Sequence, residues 1–155
     1  MNYQQVVDFL FSLEKFGIKL GLKNTFSLMR RLGNPHLRFA SIHVAGTNGK
    51  GSCCAMIYSI LKKAGYSCGL YTSPHLIDFR ERIRVGESLI EKDYLTDFVS
   101  DLKEEILKKK YTFFEVTTAL AFSYFADSKI ELAVVETGLG GRLDSTNILK
   151  PEVAI

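Results

Sequence analysis

The sequence predicts an α/β protein, built as three layers around a mostly parallel sheet and carrying a phosphate-binding loop. Three observations predict it. Short apolar segments that read as buried strands alternate with longer segments of helical period, the pattern of a parallel sheet covered on both faces. Glycine-rich stretches follow two of the apolar segments, at 46–51 and 138–141. A third loop, Thr72-Ser73-Pro74-His75, follows another. In sheets of this kind ligands bind beyond the carboxyl ends of the strands. The three loops all leave from those ends.

The elements follow in order. Residues 3–13 carry Val6, Val7, Phe9, Leu10 and Leu13 close to helical spacing, and Gly17 and Gly21 punctuate the loop after them. A second helix is expected over 22–32, stopped by Gly33-Asn34-Pro35. Residues 40–45, with Ile42 and Val44, read as a buried strand, and 52–64 as a helix closed by Gly65. A second strand occupies 67–71. Over 80–85, Arg80, Arg82 and Arg84 alternate with Ile83 and Val85, which predicts a strand or an extended edge. An amphipathic helix at 91–109 presents Leu95, Phe98, Val99, Leu102 and Ile106, and Lys108, Lys109 and Lys110 suit its negative end. Residues 113–126 are apolar nearly all round and predict a buried helix, with Phe113, Phe114, Phe122, Tyr124 and Phe125 assigned to the core. Residues 131–135 form another buried strand, and a closing strand begins near Glu152. The sheet so read has roughly three full strands and a stub.

Composition excludes several classes. With 46% hydrophobic and 24% charged residues the chain is a globular domain and not a disordered or collagen-like one. No run approaches the ~20 apolar residues of a membrane helix, and the first residues lack the pattern of a signal peptide, so the expected location is the cytoplasm. Residues 1–77 hold nine Lys/Arg against Asp8 and Glu14, a balance of +7, and residues 78–155 hold eleven against fifteen acids, a balance of −4. A basic first half suits an anionic ligand, although two solvated faces give the same bias. No stripe of bases interleaved with aromatics points to nucleic acid. Cys53, Cys54 and Cys68 show no disulfide or zinc spacing, so packing in a reducing compartment is expected.

The segment His43-Val44-Ala45-Gly46-Thr47-Asn48-Gly49-Lys50-Gly51-Ser52 follows a strand and opens a helix. Gly46, Gly49 and Gly51 admit a phosphate close to the backbone, successive amides form an anion nest, and the helix N-terminus adds to it. Lys50 supplies the cation, and Ser52 a hydroxyl for a phosphate or a Mg²⁺ shell. The strict pattern GxxxxGK[ST] is not met, because position 44 is Val and Gly51 separates Lys50 from Ser52. A glycine turn needed for geometry alone is the competing reading.

This loop resembles that of the folylpolyglutamate synthase/dihydrofolate synthase family of Mur-ligase-like, ATP-dependent amide ligases. Three further motifs carry the resemblance: Tyr71-Thr72-Ser73-Pro74-His75-Leu76 with Phe79-Arg80-Glu81-Arg82-Ile83; Phe113-Phe114-Glu115-Val116-Thr117-Thr118; and Glu136-Thr137-Gly138-Leu139-Gly140-Gly141-Arg142-Leu143-Asp144-Ser145-Thr146-Asn147. The resemblance implies an incomplete Mur-ligase central-type ATPase domain over 1–155. It implies ligation of L-glutamate to a folate or dihydropteroate carboxylate through an acyl phosphate, in folate biosynthesis, by an enzyme that is monomeric at full length.

Carried over by motif, Gly46, Thr47, Asn48, Gly49, Lys50, Gly51 and Ser52 bind ATP, with Lys50 the main cation. Ser73 and Glu136 are the Mg²⁺ ligands, and Glu136 joins Lys50 in the catalytic set. The pterin-binding stretches of tetrahydrofolate or dihydropteroate match Leu20, Gly21 and Leu22, then Thr112, then Leu143, Asp144 and Ser145. Plain packing competes with contact for Leu20 and Leu22. Asp144 either orients a pterin amine or caps the turn at Ser145-Thr146. Ser73 alone would be a turn residue before Pro74. For His75 a loop hydrogen bond is favoured over a base. The resemblance further implies a second-metal histidine, a carbamylated lysine and a C-terminal domain that these 155 residues do not hold. The chain is therefore expected to be truncated within a strand, and to have little ligase activity alone. The alternatives are a peptidoglycan-type Mur ligase fragment, which the second to fourth motifs disfavour, and a nucleotide-binding module without catalysis.

Overall fold

The computed structural model describes residues 1–19 and 21–155, so Leu20 lies outside the described residues. Five α-helices and six strands follow one another along the described chain. Helix α1 (Tyr3–Ser12) begins in a capping box: the Asn2 side chain accepts from the Gln5 amide and the Gln5 side chain from the Asn2 amide, both at 2.9 Å. Helix α2 (Lys23–Arg31) buries Thr25, Leu28 and Met29. Strand β1 (Ala40–Val44) leads into α3 (Lys50–Lys63), and β2 (Cys68–Tyr71) follows. Then come β3 (Ile83–Val85), β4 (Ser88–Leu89), α4 (Lys92–Lys109), α5 (Phe113–Asp127), β5 (Leu132–Glu136) and β6 (Val153–Ala154).

The strands form one sheet in the order β4-β3-β2-β5-β1-β6. The four strands from β2 to β6 run parallel, and β3 and β4 join antiparallel at one edge. This is the expected three-layer arrangement. Alternation along the strands splits the interior in two. Tyr71, Ala133 and Val135 belong to a large core with α1, α2, α4 and α5, where Leu10, Leu28, Val99, Ile106, Leu120 and Phe122 are buried. Val44, Cys68, Leu70 and Val134 face the other way and meet Cys54 and Tyr58 of α3. Each large side chain so buried stabilises the fold by ~1.5–3 kcal/mol relative to exposure. Gly69 shows why β2 carries no side chain at its centre: a Cβ there would stand 2.7 Å from the Phe125 ring and 2.8 Å from Ile130 Cδ1.

Four expectations are corrected. The sheet has six strands instead of three and a stub. The alternation over 80–85 is a strand only at Ile83–Val85. Phe79–Arg82 is a 3-10 turn, because Asp78 and Glu81 form a capping box that closes it. Helix α3 begins two residues early, at Lys50, because Gly49 adopts φ 78°, a left-handed conformation that starts the helix without a side-chain cap. Finally, Phe114 is only half-buried, while Phe113, Phe122, Tyr124 and Phe125 are buried as assigned. Cys54 and Cys68 are buried free thiols, and burial pushes Cys54 up to about 12. No helix among the described residues is long and apolar enough to cross a membrane.

Candidate functional site

The carboxyl ends of β1, β2 and β5 lie side by side, because Val44 pairs with Glu136 and Tyr71 with Val135. Three loops therefore open on one edge of the sheet, as expected for a crevice in an open parallel sheet. The first is the glycine loop. Its helix makes its first backbone bond from Cys53 N–H to Gly49 O at 2.9 Å. No side chain caps α3, which leaves the amides of its first turn for an anion. The Lys50 ammonium folds back and donates to the Gly46 carbonyl at 2.9 Å. Gly46, Thr47, Asn48 and Gly49 form the exposed turn above it.

The second loop brings Ser73 to Glu136. The Ser73 amide donates to Glu136 Oε2 at 2.9 Å, and Glu136 is 6% exposed. The carboxylate lies against Gly51, where a Cβ would stand 3.7 Å from Oε1 and 3.9 Å from Oε2. Gly51, Ser52, Thr72, Ser73 and Glu136 line one cavity. Among the described residues no three His, Cys, Asp or Glu side chains cluster as a metal cage. One carboxylate with hydroxyl neighbours beside an anion site instead fits Mg²⁺, which keeps few protein ligands and shares phosphate oxygens. Ser73 and Glu136 fit such an ion on these grounds.

The third loop contributes a second cavity. Gly21, Thr112, Leu143, Asp144 and Ser145 line it together with Thr25, Phe114, Glu115 and Leu139. Leu22 lines an adjoining recess with Lys19 and Glu115. The stretches 21–22, 112 and 143–145, distant in sequence, thus converge. Thr112 and Glu115 are a reciprocal cap on α5: Glu115 Oε2 accepts from the Thr112 amide at 2.8 Å. Thr118 and Ser145 hydroxyls lie 2.7 Å apart, and Ser145 Oγ donates to the Phe114 carbonyl at 3.2 Å. Asp144 realises its capping alternative. Oδ2 accepts from the Gly138 and Leu139 amides at 2.9 and 2.8 Å, and Oδ1 accepts from the Thr146 amide at 3.0 Å and from its hydroxyl.

His75 makes the favoured loop hydrogen bond: Arg82 Nε donates to its Nδ1 at 2.8 Å. The Arg82 guanidinium sits 5.6 Å from the Phe79 ring centroid and 5.2 Å from that of Phe113. Burial lowers the pKa of both residues, and the charge of Arg82 lowers His75 further. Sequence reasoning missed Thr25, Phe114 and Leu139 as cavity residues. Thr25 had a signal, since it is a polar residue on the buried stripe of α2 with Leu28 and Met29. Phe114 had none, because Phe113 beside it is the same residue type and is buried.

No family model matches the chain. A curated relative from Bacillus subtilis, a dihydrofolate synthase/folylpolyglutamate synthase, is 44% identical over 160 residues, covering 99% of this chain and 37% of the relative. Over nearly its whole length the chain is homologous to folylpolyglutamate and dihydrofolate synthases. It spans little more than a third of that relative's length. The folylpolyglutamate synthase crystal structure from Thermotoga maritima superposes with a TM-score of 0.87 at 42% identity, over 96% of this chain and 36% of that one. FolC of E. coli, in complex with DHPP and ADP, gives 0.82 at 38% identity over 96% and 37%. The chain thus shares the fold of these structures over nearly its whole length.

Proposed function

We propose that the chain forms the ATP- and pteroate-binding portion of a ligase that joins L-glutamate to the carboxylate of a folate or of dihydropteroate. The observation that carries this reading is that one connection, 136–145, contributes to both cavities: Glu136 to the first, Leu139 and Leu143 to Ser145 to the second. A phosphoryl donor in the first cavity and an aromatic substrate in the second would meet along it. The names and ligands of the relatives support the same reading.

In the reaction, a substrate carboxylate oxygen attacks the γ-phosphorus of ATP and the bond to the β-phosphate oxygen breaks, which releases ADP. The amine of glutamate then attacks the carbonyl carbon of the acyl phosphate, and the tetrahedral intermediate expels inorganic phosphate as the amine loses a proton. The residues of this chain position and neutralise charge, as in other phosphoryl transfers. The amides of Lys50, Gly51 and Ser52 donate to phosphate oxygens. Lys50 exchanges the Gly46 carbonyl for the β- and γ-phosphates. A Mg²⁺ ion held by Ser73 and Glu136 would neutralise charge on the same oxygens. The half-buried Phe114 ring and the apolar Leu139 and Leu143 offer a stacking surface for a flat heterocycle.

The test is binding of each ligand separately. ATP with Mg²⁺ should raise the melting temperature of the chain, and dihydropteroate should bind with its fluorescence altered. Neither ligand should compete with the other. Mutual exclusion of the two, or binding of neither, would overturn the reading.

A further inference from the structure

His43, in β1, has no part in the chemistry above, yet it is 7% exposed and hydrogen-bonded. Its Nε2 lies 2.8 Å from Thr146 Oγ1. The direction of that bond can be deduced. Asp144 Oδ1 only accepts, so the single hydroxyl proton of Thr146 goes to Asp144. Thr146 Oγ1 must then accept from His43, which fixes the Nε2–H form of the imidazole. The relay runs on through the Asp144 carboxylate, whose other oxygen holds the amides of Gly138 and Leu139. All of it is buried: Thr146 is 1% exposed and Asp144 5%. An interior strand of the sheet, β1, is thereby joined to the loop that walls the second cavity.

We propose that His43 is a positioning residue for this cavity. Through Thr146 it orients Asp144, and Asp144 holds the segment that carries Leu139 and Leu143 against the Phe114 side. The carboxylate already accepts four protein hydrogen bonds, so its task is to shape the wall and not to contact the ring. An unsupported Asp144 leaves the Gly138 and Leu139 amides without a fixed partner, and the wall loosens. The consequence for pteroate rests on the function proposed above, whereas the brace itself does not.

The experiment uses ¹⁵N-labelled chain. Long-range ¹H–¹⁵N correlation should show the Nε2–H tautomer at His43. In His43→Phe and in Thr146→Val, amide exchange at Gly138 and Leu139 should accelerate by about tenfold while amides within β5 keep their rates. The dissociation constant for dihydropteroate should rise about tenfold and that for ATP change less than about twofold. The double variant should be no worse than either single one. His43→Gln, which keeps a donor at the corresponding position, should restore both readouts. An Nδ1–H tautomer, unchanged exchange in both variants, additive losses, or equal loss of ATP and dihydropteroate affinity would overturn the proposal. Failure of the wild-type chain to bind dihydropteroate would instead overturn the function proposed above, and the tautomer and exchange data would still decide the brace.

Discussion

The backbone amide of Ser73 donates to Oε2 of Glu136 at 2.9 Å, tying the loop after β2 to the last residue of β5. One oxygen of the carboxylate is thus committed to orientation, and Oε1 has no hydrogen-bond partner among the described residues. In Glu136→Gln the amide oxygen can still accept from Ser73, so the fold is kept while the charge is lost. ATP affinity measured with Mg²⁺ should fall about tenfold, and the difference from wild type should vanish in EDTA. Equal loss with and without the metal would refute a metal-ligating role.

The Lys50 ammonium hydrogen-bonds only the Gly46 carbonyl among the described groups. Lys50→Ala should therefore leave urea stability within ~0.5 kcal/mol of wild type. The rise in melting temperature caused by ATP should be abolished. An undiminished rise would locate the nucleotide away from this loop.

Gly69 is a packing position. Gly69→Ala drives a methyl group into Phe125 and Ile130, with a destabilisation of ~1–3 kcal/mol expected from overpacking. The urea midpoint reports it. A midpoint equal to wild type would show that α5 can move away from β2 without cost.

Burial lowers the pKa of His36, His43 and His75 from the ordinary value of 6.5. Below that pH the unfolded chain binds protons that the native chain refuses, so stability is greatest above 6.5 and falls as the pH drops toward the native values. Urea melts between pH 8 and pH 5 should show the midpoint decreasing with acidity. Asp78 and Glu81 are also shifted down, but from the carboxylate range, and contribute only at lower pH. A flat profile above pH 5 would contradict the burial of the imidazoles.

Much of this was legible in the residues. Helices α4 and α5 were found within a residue or two, since long periodic or uniformly apolar runs override local ambiguity. The crevice was legible because three loops leave the ends of strands whose burial is written in their composition. The hairpin edge was not: β4 has two residues, Ser88–Leu89, too few for any period. At 79–82 a capping box defeated a convincing alternation, because two side-chain carboxylates satisfy amides that a strand would have paired. The relay from His43 to Asp144 joins residues about a hundred positions apart and leaves no local mark.

Strand β5 lies between β1 and β2, although it follows both in the chain. Among the described residues β1 pairs only with β5 and β6, and β2 only with β5 and β3. During synthesis the first two of these parallel strands leave the ribosome with an open slot between them, and no parallel ladder can close until residues 132–136 emerge. The segment that joins β1 to β2 is also the one that delivers Glu136. Joining the two parts of the sheet and bringing the crevice together are therefore a single event.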